Sequence, residues 1–296
     1  MKKAFLQLHL AVFLAGFTAI LGKLIQLSEG VLVWWRILLT VIVLAGWLRY
    51  SGKLERLSVR SSVKIAVVGF IIALHWILFY GSIKYATISV ALVCFSATGF
   101  FTSLLEPIIL KRQVQWLELA LGLLSIAGLY IIFDFHPQYK LGILFGLLSA
   151  VGSALFPIFN KELLLKYKPE TLSLYELGGG LILLTLILPL YHQFFPANYY
   201  WPTPQDWIWL LVLAIFCTVL LFLLQLNALK KISAFTSNLT FNLEPVYGIL
   251  MAFLFFDESK MLHKEFFIGL ALIVLAVVLQ MMMVWNTARK NRNITA

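Results

Sequence analysis

Long apolar runs alternate with short polar segments along almost the whole chain. Each run is close to or longer than the roughly 20 residues that an α-helix needs to cross the hydrocarbon core of a bilayer. The pattern therefore predicts an all-α polytopic membrane protein with ten transmembrane helices. The ten runs lie at about 4–26, 31–49, 63–85, 88–110, 116–134, 139–166, 171–193, 207–230, 232–256 and 264–286.

The ninth run differs from the others because polar side chains interrupt it. It contains one acid, Glu244, directly before Pro245, together with the amides Asn238 and Asn242. Glu244 lies about 18 Å along this helix, near the membrane midplane. A carboxylate at that depth is costly and usually binds something, and a proline frees a backbone carbonyl one turn earlier. We therefore predict a broken helix beside a polar cavity.

Composition and charge agree with this class. Hydrophobic residues make up 61% of the chain and charged residues 12%, whereas a soluble domain has about 25% charged residues. Seventeen of the 23 Lys and Arg residues flank the ends of the runs on the side that holds both termini, five lie on the other side, and Arg36 falls inside the second run. This bias predicts cytoplasmic termini. The net charge of +10 therefore does not indicate nucleic-acid binding.

An internal repeat divides the chain. Ser82–Phe101 aligns with Ala228–Tyr247 at one offset of 146 residues, and Glu29–Arg36 aligns approximately with Glu170–Leu177. Each half holds five predicted spans, an odd number, so the two copies enter the membrane from opposite sides. Inverted repeats of this kind place a substrate site at their interface near the midplane. The predicted units are a first repeat at 1–137, a second repeat at 138–288 and a basic cytoplasmic tail at 289–296.

Three central positions are the main candidates for substrate contact. Glu244 either binds a cationic group of the substrate or a proton, or is hydrogen-bonded and holds the Pro245 kink. His75 in the third run either relays protons and contacts substrate or is a packed, hydrogen-bonded histidine. Trp76 and Tyr80, four residues apart, either form an aromatic wall for substrate or pack in the bundle.

The repeat places further candidates nearer the membrane faces. Arg36 either attracts a substrate carboxylate or extends to an external aromatic belt. Tyr175 and Glu176 occupy the related place on the cytoplasmic side, where we predict that Glu176 pairs with Lys161 or another base as a gate. The remaining predicted substrate contacts are the amides Asn160, Gln225, Asn238 and Asn242.

Several segments resemble a known family. The turn ALKKIS at 228–233, the run LEPVYGILMAFLFFDE at 243–258 and the run SIKYATISVAL at 82–92 resemble those of EamA-type members of the drug/metabolite transporter superfamily, over nearly the whole chain. The resemblance implies secondary export or exchange of small metabolites, often amino acids, by alternating access, with spans five and ten at the periphery. The first half departs from the pattern, because Lys111 and Arg112 stand where the second half has Asp257 and Glu258.

We therefore expect a secondary transporter of the cytoplasmic (inner) membrane, a monomer or homodimer surrounded by lipid, that exports or exchanges a small zwitterionic or amphipathic metabolite. The sequence is consistent with two mechanisms, proton exchange through Glu244 and His75 or facilitated diffusion without a coupling ion. No cofactor or metal is expected. The alternative is an integral membrane enzyme or lipid-handling protein acting on a lipid-linked substrate. Such an enzyme should show clustered carboxylates or paired metal-ligand histidines, but the five histidines are scattered, at His9, His75, His136, His192 and His263.

Overall fold

The computed structural model describes residues 2–111, 113–135, 139–232, 234–241, 243–261 and 263–294. Within them all regular secondary structure is helical, which confirms the all-α prediction. A π-helical segment, Ile215–Leu220, joins α9 to α10. The α-helices are α1 (Lys2–Leu24), α2 (Glu29–Tyr50), α3 (Val59–Tyr85), α4 (Ile88–Phe95), α5 (Thr98–Leu110), α6 (Trp116–Phe135), α7 (Lys140–Leu163), α8 (Pro169–Phe194), α9 (Pro204–Ala214), α10 (Leu221–Leu229), α11 (Ala234–Phe241), α12 (Glu244–Phe256) and α13 (Lys264–Ile294).

Seven helical stretches among the described residues are long and apolar enough to cross a membrane. The chain is therefore a multi-pass membrane protein. The other three predicted spans correspond to α6, to α11 with α12, and to α13, so the number of ten crossings stays a prediction. The seven stretches are Lys2–Leu24, Glu29–Tyr50, Val59–Tyr85, Ile88–Leu110, Lys140–Leu163, Pro169–Phe194 and Pro204–Leu229.

The internal repeat is visible in the helix boundaries. The bounds of α4 and α11, and those of α5 and α12, differ by the same 146 residues that relate the two sequences. Both α5 and α12 also end in a left-handed residue, Lys111 with φ 52° and Asp257 with φ 53°. The two copies therefore share backbone geometry even where their side chains carry opposite charges.

The fourth and ninth runs are both broken helices. The break in the ninth run, directly before Glu244, confirms the sequence prediction, and Pro245 lies in the first turn of α12. The break between α4 and α5 contains no proline and was not predicted. There the hydroxyls of Ser96 and Thr98 donate to the carbonyls of Val93 and Phe95 at 2.6 Å, local bonds that compete with regular helical pairing.

Helices α2 and α8 come from different repeats and run antiparallel. The hydroxyl of Tyr191 near the end of α8 donates to Glu29 at the start of α2. At the other end, the amide of Leu57, beyond the end of α2, donates to the hydroxyl of Tyr175 near the start of α8 at 3.1 Å. The end of the bundle that contains Glu29 also contains Glu258, and we call it the Glu258 face. The opposite end contains Tyr175 and Glu55, and we call it the Glu55 face.

Glycines bring α3 and α8 into backbone contact. A Cβ atom added at Gly69 of α3 would lie 1.7 Å from the carbonyl oxygen of Glu176, and one added at Gly179 would lie 2.3 Å from Cβ of Ala66. Small residues are the usual means by which membrane helices approach this closely. The crossing fixes the position of α3, which carries His75, Trp76 and Phe79 of the central cavity described below.

Candidate functional site

A central cavity lies between side chains of both repeats. Its size is about 60 Å³, enough for a few water molecules but far below the roughly 300–1,000 Å³ of a pocket that holds an organic ligand. Its aromatic lining is Trp76, Phe79, Phe95, Phe156, Phe222 and Phe241. Its polar lining is Thr18, Arg36, His75, Ser153, Gln225 and Glu244.

Arg36 is the most fully bonded side chain at this cavity. Its guanidinium donates to the hydroxyl of Thr218 at 2.8 Å, to that of Tyr80 at 2.9 Å and to the carbonyl of Cys217 at 3.0 Å. It also stacks on Trp76, with 3.7 Å from its central carbon to the ring centroid, a favourable cation–π geometry. Only 2% of the residue is exposed, so it does not extend to an external belt.

The π-helical segment explains how Arg36 is satisfied. In residues Ile215–Leu220 the backbone is wound more loosely than an α-helix, and such bulges often occur at functional sites. The hydroxyl of Thr218 donates to the carbonyl of Leu213 at 2.8 Å and accepts from Arg36, while the carbonyl of Cys217 is left for the guanidinium. Nothing in the apolar sequence of the eighth run indicated this segment.

One ring nitrogen of His75, Nδ1, is hydrogen-bonded within the protein. Its Nδ1 lies 2.8 Å from the carbonyl oxygen and 2.9 Å from the hydroxyl of Ser149 on α7. A carbonyl only accepts, so Nδ1 carries the proton and Nε2 is the acceptor of the neutral ring; this tautomer is assigned from the partners. The ring also packs against Phe79 and Phe95. His75 is therefore a fixed, hydrogen-bonded wall of the cavity.

Glu244 supplies the acidic side of the cavity. It is the first residue of α12, directly after the helix break, and it is 5% exposed. Its carboxylate and the Arg36 guanidinium interact electrostatically, yet no ion pair within 4.0 Å joins these two described residues. The cavity therefore presents one cation and one acid on separate walls.

Only some of the predicted contacts meet here. Glu244, His75, Trp76, Arg36 and Gln225 share the cavity, with Trp76 also packed against Phe222. Sequence reasoning missed Thr18, Ser153 and the backbone of Cys217, because single small polar residues and a carbonyl give no signal in an apolar run. Asn242 lies outside the described residues, and the same holds for the side chain of Asn238.

Three predicted contacts lie elsewhere. Tyr80 lies behind Arg36 and accepts a hydrogen bond from it. Of the two residues of the predicted aromatic wall, Trp76 therefore lines the cavity and Tyr80 supports Arg36. Tyr175 donates to the carbonyl of Glu55 at 3.1 Å in the loop after α2. Asn160 donates to the carbonyl of Phe156 on its own helix at 3.1 Å.

The predicted gate between Glu176 and Lys161 is not formed. The ammonium of Lys161 instead donates to the carbonyls of Leu229 and Ile232, at 2.6 and 2.5 Å, where α10 ends. A cation is favourable at a helix C-terminus because carbonyls there lack helical partners. This local competition explains why charge complementarity alone gave the wrong partner.

Contacts at the Glu55 face join the two repeats. Glu55, in the loop after α2, pairs with Lys168 and accepts from the hydroxyl of Thr171 at 3.0 Å. Chiefly the Lys168 hydrogen bond, and then the Thr171 hydroxyl, hold the pKa of Glu55 below its ordinary value. This contact is therefore fully formed above the ordinary glutamate pKa and is lost as the pH falls through the lowered value.

At the Glu258 face a buried acid joins the two repeats. The two carboxylate oxygens of Glu258 accept from the amides of Ile88 and Ser89 at 3.1 and 2.9 Å, and from the Ser89 hydroxyl at 2.7 Å. Ile88 and Ser89 begin α4, where helix amides lack helical partners and an anion is favourable. Glu258 thus ties the end of one repeat's broken helix to the start of the other's.

We expect Glu258→Gln to weaken this contact between the repeats. The glutamine side chain has no negative charge, and its NH₂ group would face a backbone N–H of Ile88 or Ser89, which is also a donor. Charge-assisted bonds contribute about 1.5–3 kcal/mol each, so the closed state should weaken by at least about 1 kcal/mol. The measurement is the alkylation rate of a cysteine introduced at Val90, the next residue of α4, which is buried and forms no hydrogen bond with Glu258. The matched control is Asp257→Asn, since Asp257 forms an ion pair with the exposed Lys260 on the surface. Equal alkylation in the two variants would contradict this assignment.

Comparisons with known proteins agree with this architecture. An uncharacterized transporter of Archaeoglobus fulgidus is 24% identical over 74% of this chain and 76% of its own length. The uncharacterized transporter YetK of Bacillus subtilis is 25% identical over 92% of this chain and 84% of its own. A solved crystal structure, 16% identical, covers 95% of this chain and 98% of its own with a TM-score of 0.68, which shows a shared fold.

The sequence profile of one family matches both halves of the chain, at residues 2–134 and 140–282. The two matched ranges coincide with the two repeats seen in the helix boundaries. Together with the named relatives, they indicate a membrane transporter rather than an enzyme. The chain belongs to the EamA-like transporter family.

Proposed function

We propose that this protein is a secondary carrier that exports or exchanges a small zwitterionic metabolite, such as a neutral amino acid, across the cytoplasmic membrane. The observation that carries the proposal is the central cavity, where Arg36 and Glu244 present opposite charges from different repeats. Arg36 suits a substrate carboxylate because its planar fork binds two oxygens at once. Glu244 suits a substrate ammonium, and the surrounding aromatic rings suit an apolar side chain.

Alternating access is supported by the contacts between the repeats at both faces. The cavity is too small for an amino acid in this conformation, so substrate enters only after the contacts at one face open. The Glu55 and Glu258 contacts each join different repeats, and the repeat-related helices α2 and α8 are antiparallel. We assign the Glu55 face to the cytoplasm, in agreement with the base-rich loops and with ten crossings.

The test is counterflow in proteoliposomes. Vesicles loaded with an unlabelled neutral amino acid are diluted into the same labelled amino acid, across a panel of side chains. The wild-type protein should accumulate label transiently for at least one of them. Amino acid amides and N-acetyl amino acids should compete poorly with the labelled amino acid for transport, because each of these derivatives lacks one of the two charges. A folded protein that gives no counterflow across the panel would overturn the zwitterion assignment.

Glu244→Gln tests the role of the acid directly. We expect KM to rise roughly 10- to 100-fold, as for the loss of one charge-assisted hydrogen bond in a buried site. The variant should also lose its discrimination against the acetylated amine while keeping discrimination against the amide. Glu162→Gln, at an exposed acid of α7, is the control and should leave KM unchanged. Unchanged KM and selectivity in Glu244→Gln would remove Glu244 from the site.

A further inference from the structure

Glu176 on α8 is a buried acid without a hydrogen-bond partner. The residue is 0% exposed, and neither carboxyl oxygen has a partner. The amide of Asn160 on α7, also 0% exposed, interacts with this carboxyl, but no hydrogen bond of regular geometry joins the two side chains. The Oδ1 atom of Asn160 is unpartnered, and its Nδ2 donates to the carbonyl of Phe156. The hydroxyl of Ser173, one helical turn earlier on α8, is unpartnered as well. The group thus holds four buried oxygen atoms without a hydrogen-bond partner, and its donors are the Ser173 hydroxyl and the second N–H of Asn160.

A proton resolves this arrangement. A buried carboxylate without a partner costs several kcal/mol, and the usual outcome is that the group becomes neutral. The protonated carboxyl carries one O–H, which is the donor that the Oδ1 atom of Asn160 lacks. A metal ion fits less well: hard cations take six or more oxygens, and no group of three metal-ligating side chains occurs in the described ranges.

Charged side chains on the neighbouring helices do not satisfy Glu176. The helices that pack against α8 are α2, α3 and α10, and α7 contributes Asn160 beside Glu176. The described part of the chain shows no ion pair between Glu176 and any of their charged groups. Arg36 and Lys161 are bonded to other partners, and α10 carries no titratable group. The other titratable groups on these helices are Glu29, Arg49, Tyr50, Arg60, Lys64, His75, Tyr80, Lys84, Tyr85, Lys140 and Glu162.

We propose that Glu176 is the site at which the carrier binds and releases a transported proton, with Asn160 as the residue that positions it. This proposal rests on the proposed carrier function and adds the coupling ion. Glu176 is the eighth residue of α8, as Arg36 is the eighth residue of α2. A fixed cation and an acid that changes charge therefore lie equally far from the starts of α2 and α8, although the alignment of the two repeats pairs Arg36 with Leu177.

The proton site is linked to the cavity through α3. The carbonyl of Glu176 lies against Gly69 of α3, and the same helix carries His75 and Trp76 on the cavity wall. When α8 separates from α3 and α7, water reaches Glu176 and the proton leaves to that side. When they close again, the carboxyl must be neutral. Closure around the cavity therefore requires that Glu176 is protonated, so the two processes are coupled.

The test measures proton and substrate movement separately. Wild-type protein is reconstituted in vesicles, and a pH gradient is imposed across their membrane. A pH-sensitive dye inside the vesicles reports proton movement, and uptake of a labelled neutral amino acid that the protein exchanges is measured at the same time. Wild-type protein should accumulate substrate against its gradient while protons move. Glu176→Gln keeps the shape and the donor, so it should retain exchange near the wild-type rate and lose both gradient-driven accumulation and proton movement. Glu170→Gln on the same helix is the matched control and should behave as wild type.

The outcomes separate this proposal from the carrier function. Proton movement retained in Glu176→Gln, or wild-type accumulation driven by a sodium gradient after the pH gradient is collapsed, would overturn the proton site while leaving the carrier intact. If the vesicles show no transport, infrared spectra of purified protein decide the site. A protonated-carboxyl band at neutral pH should persist in Glu244→Gln, disappear in Glu176→Gln and shift in Asn160→Leu; its absence from the wild type would refute the assignment.

Discussion

Replacing Arg36 by alanine is expected to reduce transport by at least about 100-fold and to destabilise the protein. The guanidinium makes three hydrogen bonds and stacks on Trp76, and hydrogen bonds of a charged group contribute about 1.5–3 kcal/mol each. Its removal leaves the carbonyl of Cys217 without this donor, and it leaves Glu244 without a neighbouring cation. Transport in proteoliposomes and the melting temperature in detergent measure the two effects.

The lysine variant separates charge from geometry. Arg36→Lys keeps the cation but cannot reach three acceptors and lie flat on an indole at once, so we expect it to recover less than about a tenth of wild-type transport. Tyr80→Phe removes one acceptor only and should cost about 1 kcal/mol. The control is Arg49→Ala, at an exposed arginine near the end of the same helix. If Arg36→Ala transported at more than half the wild-type rate, the guanidinium would not bind substrate.

Gly69→Ala is expected to have the largest effect on folding. The added Cβ atom would lie 1.7 Å from the carbonyl oxygen of Glu176, so the backbones of α3 and α8 must separate. Overpacking typically costs 1–3 kcal/mol and more where backbone must move. We therefore expect a loss of about 3 kcal/mol or more, seen as a melting temperature lowered by at least about 5 °C and as low yield of folded protein.

A neighbouring glycine provides the control for this prediction. A Cβ atom added at Gly178 of α8 meets nothing within 4 Å among the described residues. Gly178→Ala should therefore be neutral or stabilise the protein by up to about 1 kcal/mol through the higher helix propensity of alanine. Equal melting temperatures for Gly69→Ala and Gly178→Ala would show that α3 and α8 do not cross in backbone contact.

Local patterns along the chain carried the class and the plan of this protein. Hydropathy predicted a multi-pass helical protein, the offset of 146 residues predicted two repeats, and the Glu244-Pro245 pair predicted the helix break beside a cavity. Each of these depends on residues close in sequence or on the similarity of two segments. They can be read without knowing which helix faces meet.

The partners of single side chains could not be read in this way. Tyr80 and Trp76 support Arg36, and Lys161 binds helix-end carbonyls rather than Glu176. In lipid, the faces that pack against protein and the faces that meet acyl chains are both apolar, so periodicity does not tell one from the other. The π-helical segment beside Arg36 has no composition of its own that would mark it.

The sequence by itself determined that the chain is helical, lies in a membrane and repeats, because those properties follow from the cost of polar backbone and side chains in hydrocarbon. Only the tertiary structure decided that Arg36 and Glu244 face one cavity, that Glu258 ties α4 to the other repeat, and that Glu176 stands without a partner. The first two of these depend on residues more than 100 positions apart in the chain, and the third depends on how α8 packs against the other helices, so no local pattern reveals them.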